Sequence, residues 1–192
     1  PEIATGRGNN SFTTINLPRL GIKHGMLTTG TLMKRHSLMN WTKKIEVVVQ
    51  QLLERMEIQG KRKVKNFPFL MGQGVWIGSD KLGWEDTLEE VVKQGTLTIG
   101  FIGLAECLKA LIGEHHGESE KAQQLGLKIV SHMRQRCDEA TEKYHLNFSL
   151  IATPAEGLSG RFTRIDKKIY GEIPGVTDRE YYTQQLPHSG DI

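Results

Sequence analysis

The segment Leu146 to Phe162, LNFSLIATPAEGLSGRF, constrains the fold more than any other part of the chain. Leu146, Phe148, Leu150 and Ala152 alternate with Asn147, Ser149 and Ile151, the period of a strand with at least one covered face. Thr153, Pro154, Ala155 and Glu156 then supply a side-chain cap, a residue favoured at the first helical position and a capping-box carboxylate. The run predicts strand, sharp turn and helix. In α/β sheets ligands gather at the carboxyl ends of strands, and free amides at a helix start attract phosphate oxygens. Spacing alone favours a well-capped helix with no ligand; an anion site is the other reading of the same residues.

Elsewhere the apolar pattern alternates between strand and helix. Phe12 to Leu17 reads as a strand that stops at Pro18, after a polar, Gly-rich stretch from Pro1 to Asn10. Ile45, Val48, Val49, Leu52, Leu53 and Met56 recur at helical spacing and predict an amphipathic helix over Thr42 to Ile58. Phe67 to Ile77 is loop with room for a short strand at Val75 to Gly78, and Thr87 with Glu90 forms a second capping-box pattern before a short helix closed by Gly95. Leu97 to Leu104, LTIGFIGL, is an apolar run of strand length, as expected of a strand covered on both faces. A helix over Ala105 to Ile112 stops at Gly113. Ser119 can cap a long helix with Ala122, Leu125, Ile129, Met133, Cys137 and Ala140 on its inner face. Strands separated by about 20 or more residues of helix predict an α/β sheet with crossover connections. Three or four strands make a small open sheet or part of a larger barrel, not a closed one.

A length of 192 residues suits one domain. The formal charge of +3, from 25 basic and 22 acidic residues, is spread along the chain, too weak a field to argue for nucleic acid. Lys61, Arg62, Lys63 and Lys65 form the one basic knot and read as a solvated turn after a helix end. No apolar run approaches the ~20 residues of a membrane span and no signal-peptide pattern is present, so a cytoplasmic location with no membrane partner is the expectation. Cys107 and Cys137 read as buried thiols, and His115 and His116, being adjacent, do not complete a metal site. The first strand arrives with no starting Met and nothing before it to cover it, the expectation for a piece of a longer chain.

Four segments together carry a resemblance to a known family: TINLPRL at Thr14 to Leu20, TLTIGFIGLAECLKAL at Thr96 to Leu111, FSLIATPAEGLSGRF at Phe148 to Phe162 and PGVTDREYYT at Pro174 to Thr183. In order and spacing they resemble the anaerobic (class III) ribonucleoside-triphosphate reductases, which are glycyl-radical enzymes. The resemblance implies an α/β fold, part of a ten-stranded α/β barrel of the ribonucleotide reductase type, with residues 1–183 as a central portion and 184–192 as an irregular tail. It implies conversion of ribonucleoside triphosphates to deoxyribonucleoside triphosphates by radical chemistry. It further implies formate as reductant, dNTP and ATP effectors, a homodimeric parent, and an activating enzyme that uses S-adenosylmethionine and an iron–sulfur cluster.

By the same resemblance Asn16 in INLPR matches the asparagine beside the ribose; on residue type alone it is a polar strand-end residue. Thr153, Pro154, Ala155 and Glu156 match the segment at the nucleotide's phosphate end, with Ser159 one turn on. Thr153 and Ser159 would offer hydroxyls and Ala155 and Glu156 backbone amides, while like-charge repulsion turns the Glu156 carboxylate toward a cap or the sugar. Arg19 and Arg161 have the guanidinium chemistry of phosphate clamps, but Arg161 lies beyond the first turn and reads more simply as a surface ion pair. Glu106 is either a group at the barrel mouth or a plain helix-start carboxylate. The radical-bearing cysteine that the resemblance places ahead of INLPR has no counterpart, since no cysteine precedes Cys107, and neither do the glycyl-radical segment and its four-cysteine zinc site. The chain would thus supply nucleotide-binding residues but no catalytic or metal-binding ones. The alternative is a non-catalytic phosphate-binding or assembly module derived from such a barrel.

Overall fold

The computed structural model describes residues 8–25 and 35–184. Among them are three strands, β1 (Asn9–Asn16), β2 (Thr96–Ile102) and β3 (Asn147–Ala152). Six α-helices accompany them: α1 (Leu17–His24), α2 (Arg35–Gly60), α3 (Glu89–Val92), α4 (Leu104–Ile112), α5 (Glu120–Tyr144) and α6 (Glu156–Tyr170). Short 3-10 turns occupy Val64–Asn66 and Ser79–Lys81.

The strands form one sheet in the order β1-β2-β3, each joined to the next through helices. They are parallel, because contacting residue numbers rise together. The Thr96 amide donates to the Gly8 carbonyl at 3.0 Å, and Thr14 lies beside Gly100 further along. Likewise the Thr98 and Ser149 hydroxyls meet at 2.9 Å, and the Thr153 amide donates to the Phe101 carbonyl at 2.9 Å. Side chains alternate across a strand, so Leu97, Ile99 and Phe101 share one face of β2, where all three are buried. Thr98 and Gly100 lie on the other face.

By its contacts the chain forms two compact units. One gathers the described residues of Pro1–Thr13, Glu46–Ile99 and Arg136–Leu150; the other gathers those of Thr14–Ile45, Gly100–Gln135 and Ile151–Ile192. The carboxyl ends of all three strands belong to the second unit. In the first, Val64, Met71, Trp76, Leu88, Val91 and Val92 pack together with Met56, Ile77 and Leu82, and the Trp76 indole donates to the Val91 carbonyl at 2.8 Å. In the second, Ile22, Ala110 and Val176 pack with Tyr170 and Ile173. Helix α1 lies close on α4 because Gly21 presents no side chain: a Cβ there would sit 2.7 Å from the Cys107 carbonyl oxygen.

Several expectations change. The first strand is Asn9–Asn16, starting before Phe12, and Leu17 and Pro18 open helix α1 instead of ending a strand. Pro suits the first helical turn, where an amide has no acceptor, and Asn16 caps that turn by accepting the Arg19 amide at 3.1 Å. Val75 to Gly78 is turn, not strand. The Thr87–Glu90 capping box does not form: the helix cap is Leu88, and Glu90 pairs with Lys93. Ser119 does cap α5, accepting the Ala122 amide at 3.2 Å. The basic knot is exposed, with Lys61 on Glu57, and Lys63 and Lys65 both on Glu85. Cys107 and Cys137 are buried, as expected, and neither forms a disulfide among the described residues. The expected tail lies outside the described residues apart from Gln184.

Candidate functional site at the carboxyl ends of the strands

Thr14, Asn16, Gly100 and Thr153 end the three strands on one side of the sheet. The Thr14 and Thr153 hydroxyls meet at 3.0 Å, and Gly100 lies between them: a Cβ there would overlap Thr153 Oγ1 and stand 2.9 Å from Thr14 Oγ1. A glycine in a strand here permits close approach. Three residues on, Gly103 holds φ at +81°, a conformation that favours glycine, and starts α4 directly against Pro18.

The Thr153–Glu156 capping box does not form. Helix α6 starts at Glu156 behind Ala155, with no side-chain cap. The Thr153 hydroxyl turns to Thr14 instead, and the Ala155 amide is taken by the Thr153 carbonyl at 3.0 Å, so it is no free donor. Pro154 is exposed in the turn before the helix, not in its first turn. The first helical bond runs from the Ser159 amide to the Ala155 carbonyl at 2.9 Å, which leaves the amides of Glu156, Gly157 and Leu158 without intrahelical acceptors. Glu156 and Gly157 are exposed, and space beside Gly157 is open. A cleft of ≈ 370 Å³ lies there, lined by Glu156, Tyr181, Tyr182, Thr183 and Gln184.

Ser159 departs from expectation. It is fully buried and its hydroxyl donates to the Tyr182 carbonyl at 2.8 Å, so it fastens the chain after α6 instead of facing a ligand. The same stretch is held again at Thr183, whose carbonyl accepts the Gly103 amide at 2.8 Å. Glu106, neither at an open mouth nor a plain helix-start carboxylate, is fully buried: it accepts the Thr183 hydroxyl at 2.7 Å, the Thr183 amide, and Arg179 at 2.6 Å. Residues 179–183 thus form a strap across the start of α4 and the side of α6.

Asp166 is the second fully buried carboxylate of this unit. Its Oδ1 accepts Arg19 Nε at 2.6 Å, and its Oδ2 accepts Asn16 Nδ2 at 2.7 Å and the Tyr182 hydroxyl at 2.9 Å. Arg19 is therefore the half-buried ion-pair partner of Asp166, and its Nη2 is buried with no acceptor among the described residues. Burial, followed by the neighbouring Asp166 charge, holds the Tyr182 phenol well above its ordinary range. Arg161 is exposed and has no ion-pair partner among the described residues, so the expected surface pair is not formed there. Burial likewise pushes the Cys107 thiol up, against the character of a reactive cysteine. Among the described residues no three His, Cys, Asp or Glu side chains gather as a metal site.

No periodicity in the sequence singles out Asp166. On α6 the buried positions are Ser159, Gly160, Thr163 and Asp166, while Ile165 and Ile169 are exposed. Periodicity alone reads a polar stripe as the solvent face, so the burial of this one is set by partners distant in sequence, Arg19 among them.

The strand ends of this parallel α/β sheet collect hydroxyls, the ion pair of buried Asp166 and an open helix start, on the edge where α/β folds gather ligands. The family follows from comparison. A family model described as anaerobic ribonucleoside-triphosphate reductase matches residues 2–189, and the chain belongs to that family. The anaerobic ribonucleoside-triphosphate reductase of Salmonella typhimurium (strain LT2) is 31% identical over 188 residues, covering 96% of this chain and 25% of that protein. The enzyme of the same name from Escherichia coli (strain K12) is 30% identical over 196 residues, with the same coverage. The chain thus spans about a quarter of these relatives' length. Its fold matches the crystal structure of the Thermotoga maritima anaerobic ribonucleotide reductase with dATP bound in the specificity site, with TM-score 0.71 and 19% identity over 96% of this chain and 29% of that one. The chain is a partial piece of that α/β barrel fold.

Proposed function

We propose that this chain supplies part of the substrate nucleotide site of an anaerobic ribonucleoside-triphosphate reductase, which converts ribonucleoside triphosphates to deoxyribonucleoside triphosphates. Family membership supports the reaction class. The observation that carries the nucleotide reading is the uncapped start of α6, whose Glu156, Gly157 and Leu158 amides lack intrahelical acceptors beside an open cleft at the end of β3. Backbone donors at a helix start suit a phosphate. Thr153 and Pro154 shape the turn that presents them, and the Glu156 side chain extends into solvent. Asn16 stands at the end of β1, across β2 from this turn, with its amide oriented by two hydrogen bonds, and this reading gives it the ribose. Ser159 and the Ala155 amide act from behind, as fasteners of the loop.

The same reading assigns the wider chemistry to the parent protein: a glycyl radical, zinc near it, formate as reductant, dNTP and ATP effectors, an S-adenosylmethionine-dependent iron–sulfur activating partner, a homodimer and a cytoplasmic location. The glycyl radical supplies the hydrogen-atom chemistry, and neither buried cysteine described here takes part in it. This chain's residues bind and orient the nucleotide.

Titration of the intact protein with each ribonucleoside triphosphate tests the reading. Asn16→Ala and Gly157→Pro should each weaken binding by about tenfold, which is about 1.4 kcal/mol, and lower turnover by the activated enzyme. The proline removes one amide without adding charge. Unchanged affinity and turnover in both variants would sink the site; binding without turnover in the unmodified, activated protein would leave the phosphate-binding module as the better description.

A further inference from the structure

We propose that Asp166 is a positioning residue that sets the orientation of Asn16 for the bound nucleotide; this rests on the reading of Asn16 as a ribose contact. Asp166 sits on the inner face of α6, fully buried, and gathers donors from three places in the chain: Asn16 at the end of β1, Arg19 in the first turn of α1 and Tyr182 in the strap. A buried carboxylate is costly unless it is paired and hydrogen-bonded, and a Leu at this helix position would satisfy packing alone. The geometry gives the charge a specific task.

That task is visible at Asn16. A primary amide has two donor hydrogens and two acceptor lone pairs. In Asn16 the oxygen accepts the Arg19 amide at 3.1 Å and the nitrogen donates to Asp166 at 2.7 Å. Two anchors on opposite ends of the amide fix its plane and leave one hydrogen and one lone pair for a ligand hydroxyl. The Arg19 backbone amide alone would hold only the oxygen, and the side chain could then pivot about that bond. The Asp166 carboxylate prevents the pivot, and its bond to Arg19 Nε keeps α1, which carries the first anchor, in the same register. Tyr182 shares the oxygen that holds Asn16, so the strap is tied to the same carboxylate.

A double-mutant cycle on the intact enzyme tests this, reading ribonucleoside triphosphate affinity and kcat/KM for reduction. A misplacement of about 1 Å in a positioning group costs on the order of 100-fold, so Asp166→Asn should lower kcat/KM by at least about tenfold while the melting transition remains cooperative. In the Asn16→Ala background the same change should cost less than about twofold, the additivity expected only of residues that act through separate routes being lost. Equal losses in both backgrounds overturn the proposal and leave Asp166 a fold-stabilising group. If Asp166→Asn does not fold, Asp166→Glu, which keeps the charge and displaces the carboxylate, serves in the same cycle with the same two outcomes. The underlying reading fails separately: Asn16→Ala alone would then leave affinity and turnover unchanged, whatever Asp166 does.

Discussion

Glu106 holds Thr183 from two sides, accepting its hydroxyl at 2.7 Å and its backbone amide at 3.1 and 3.2 Å. One carboxylate near the start of α4 thus fixes both the conformation and the side chain of a residue in the strap, with Arg179 supplying the neutralising charge. Removing it leaves the half-buried Thr183 amide and hydroxyl unpaired, whereas Arg179, partly exposed, can return to water. Hydrogen bonds to a charged group are worth about 1.5–3 kcal/mol each. Glu106→Ala should therefore lower unfolding stability by about 3 kcal/mol and make residues 178–184 the earliest site of proteolytic cleavage. Glu106→Gln, which keeps an acceptor, should lose less. Denaturant titration with mass-mapped limited proteolysis checks both.

Gly100 is where the sheet is least tolerant. A methyl group there would overlap Thr153 Oγ1 and press on Thr14 Oγ1. The two hydroxyls cannot both keep their 3.0 Å contact, and the strand backbone cannot move without breaking the bond from the Thr153 amide to Phe101. Overpacking of this kind costs about 1–3 kcal/mol. Gly100→Ala should fall in that range by thermal or urea unfolding, and should also reduce nucleotide affinity, because Thr153 begins the turn into α6. Thr14→Val, which deletes the hydroxyl at nearly constant volume, should cost less in stability.

The fold was largely legible because it rests on periodicity. LTIGFIGL announced β2, LNFSLIA announced β3, and the stripe from Ala122 to Ala140 announced α5. Apolar residues report burial directly, so these elements needed no partner to be recognised. The capping box at Thr153 misled for a physical reason: a hydroxyl caps a helix only when no better partner is near, and Thr153 had Thr14 across Gly100. Pro18 misled because proline both ends strands and opens helices. Asp166 and Glu106 stayed hidden because what makes them notable is burial, and burial of a carboxylate is decided by Arg19 and Arg179, far away in sequence.

The Tyr182 phenol predicts an alkaline limit. Its folded-state pKa lies above the ordinary 10.0, from burial first and the Asp166 charge second. A group whose pKa is raised by folding contributes stability that is complete below its unfolded pKa and is lost as pH rises beyond it. Unfolding stability should hold to about pH 10 and then fall as the unfolded chain, but not the folded one, releases this proton. Tyr182→Phe should remove that part of the slope while costing about 1.5–3 kcal/mol at neutral pH for the lost bond to Asp166. Stability profiles of both proteins between pH 8 and about 11 give the comparison, and parallel profiles would refute the assignment.

His116 predicts the opposite limb. Its Nδ1 is buried without an acceptor or donor among the described residues, and desolvation, reinforced by neighbouring His115, lowers its pKa from 6.5. The folded protein therefore keeps the ring neutral at a pH where the unfolded chain already binds a proton. Stability from this group is complete above the unfolded value and declines as pH falls from about 6.5 toward the lowered folded value, below which it changes no further. His116→Gln abolishes the titration, so the urea midpoint of the variant should depend less steeply on pH between about 5 and 7 than that of the parent. His115 and Glu118 share the loop after α4, with Lys109 of α4 on Glu118 at 2.7 Å and His115 3.6 Å from the same carboxylate. A His116→Gln variant whose acid slope matches that of the parent would refute the assignment.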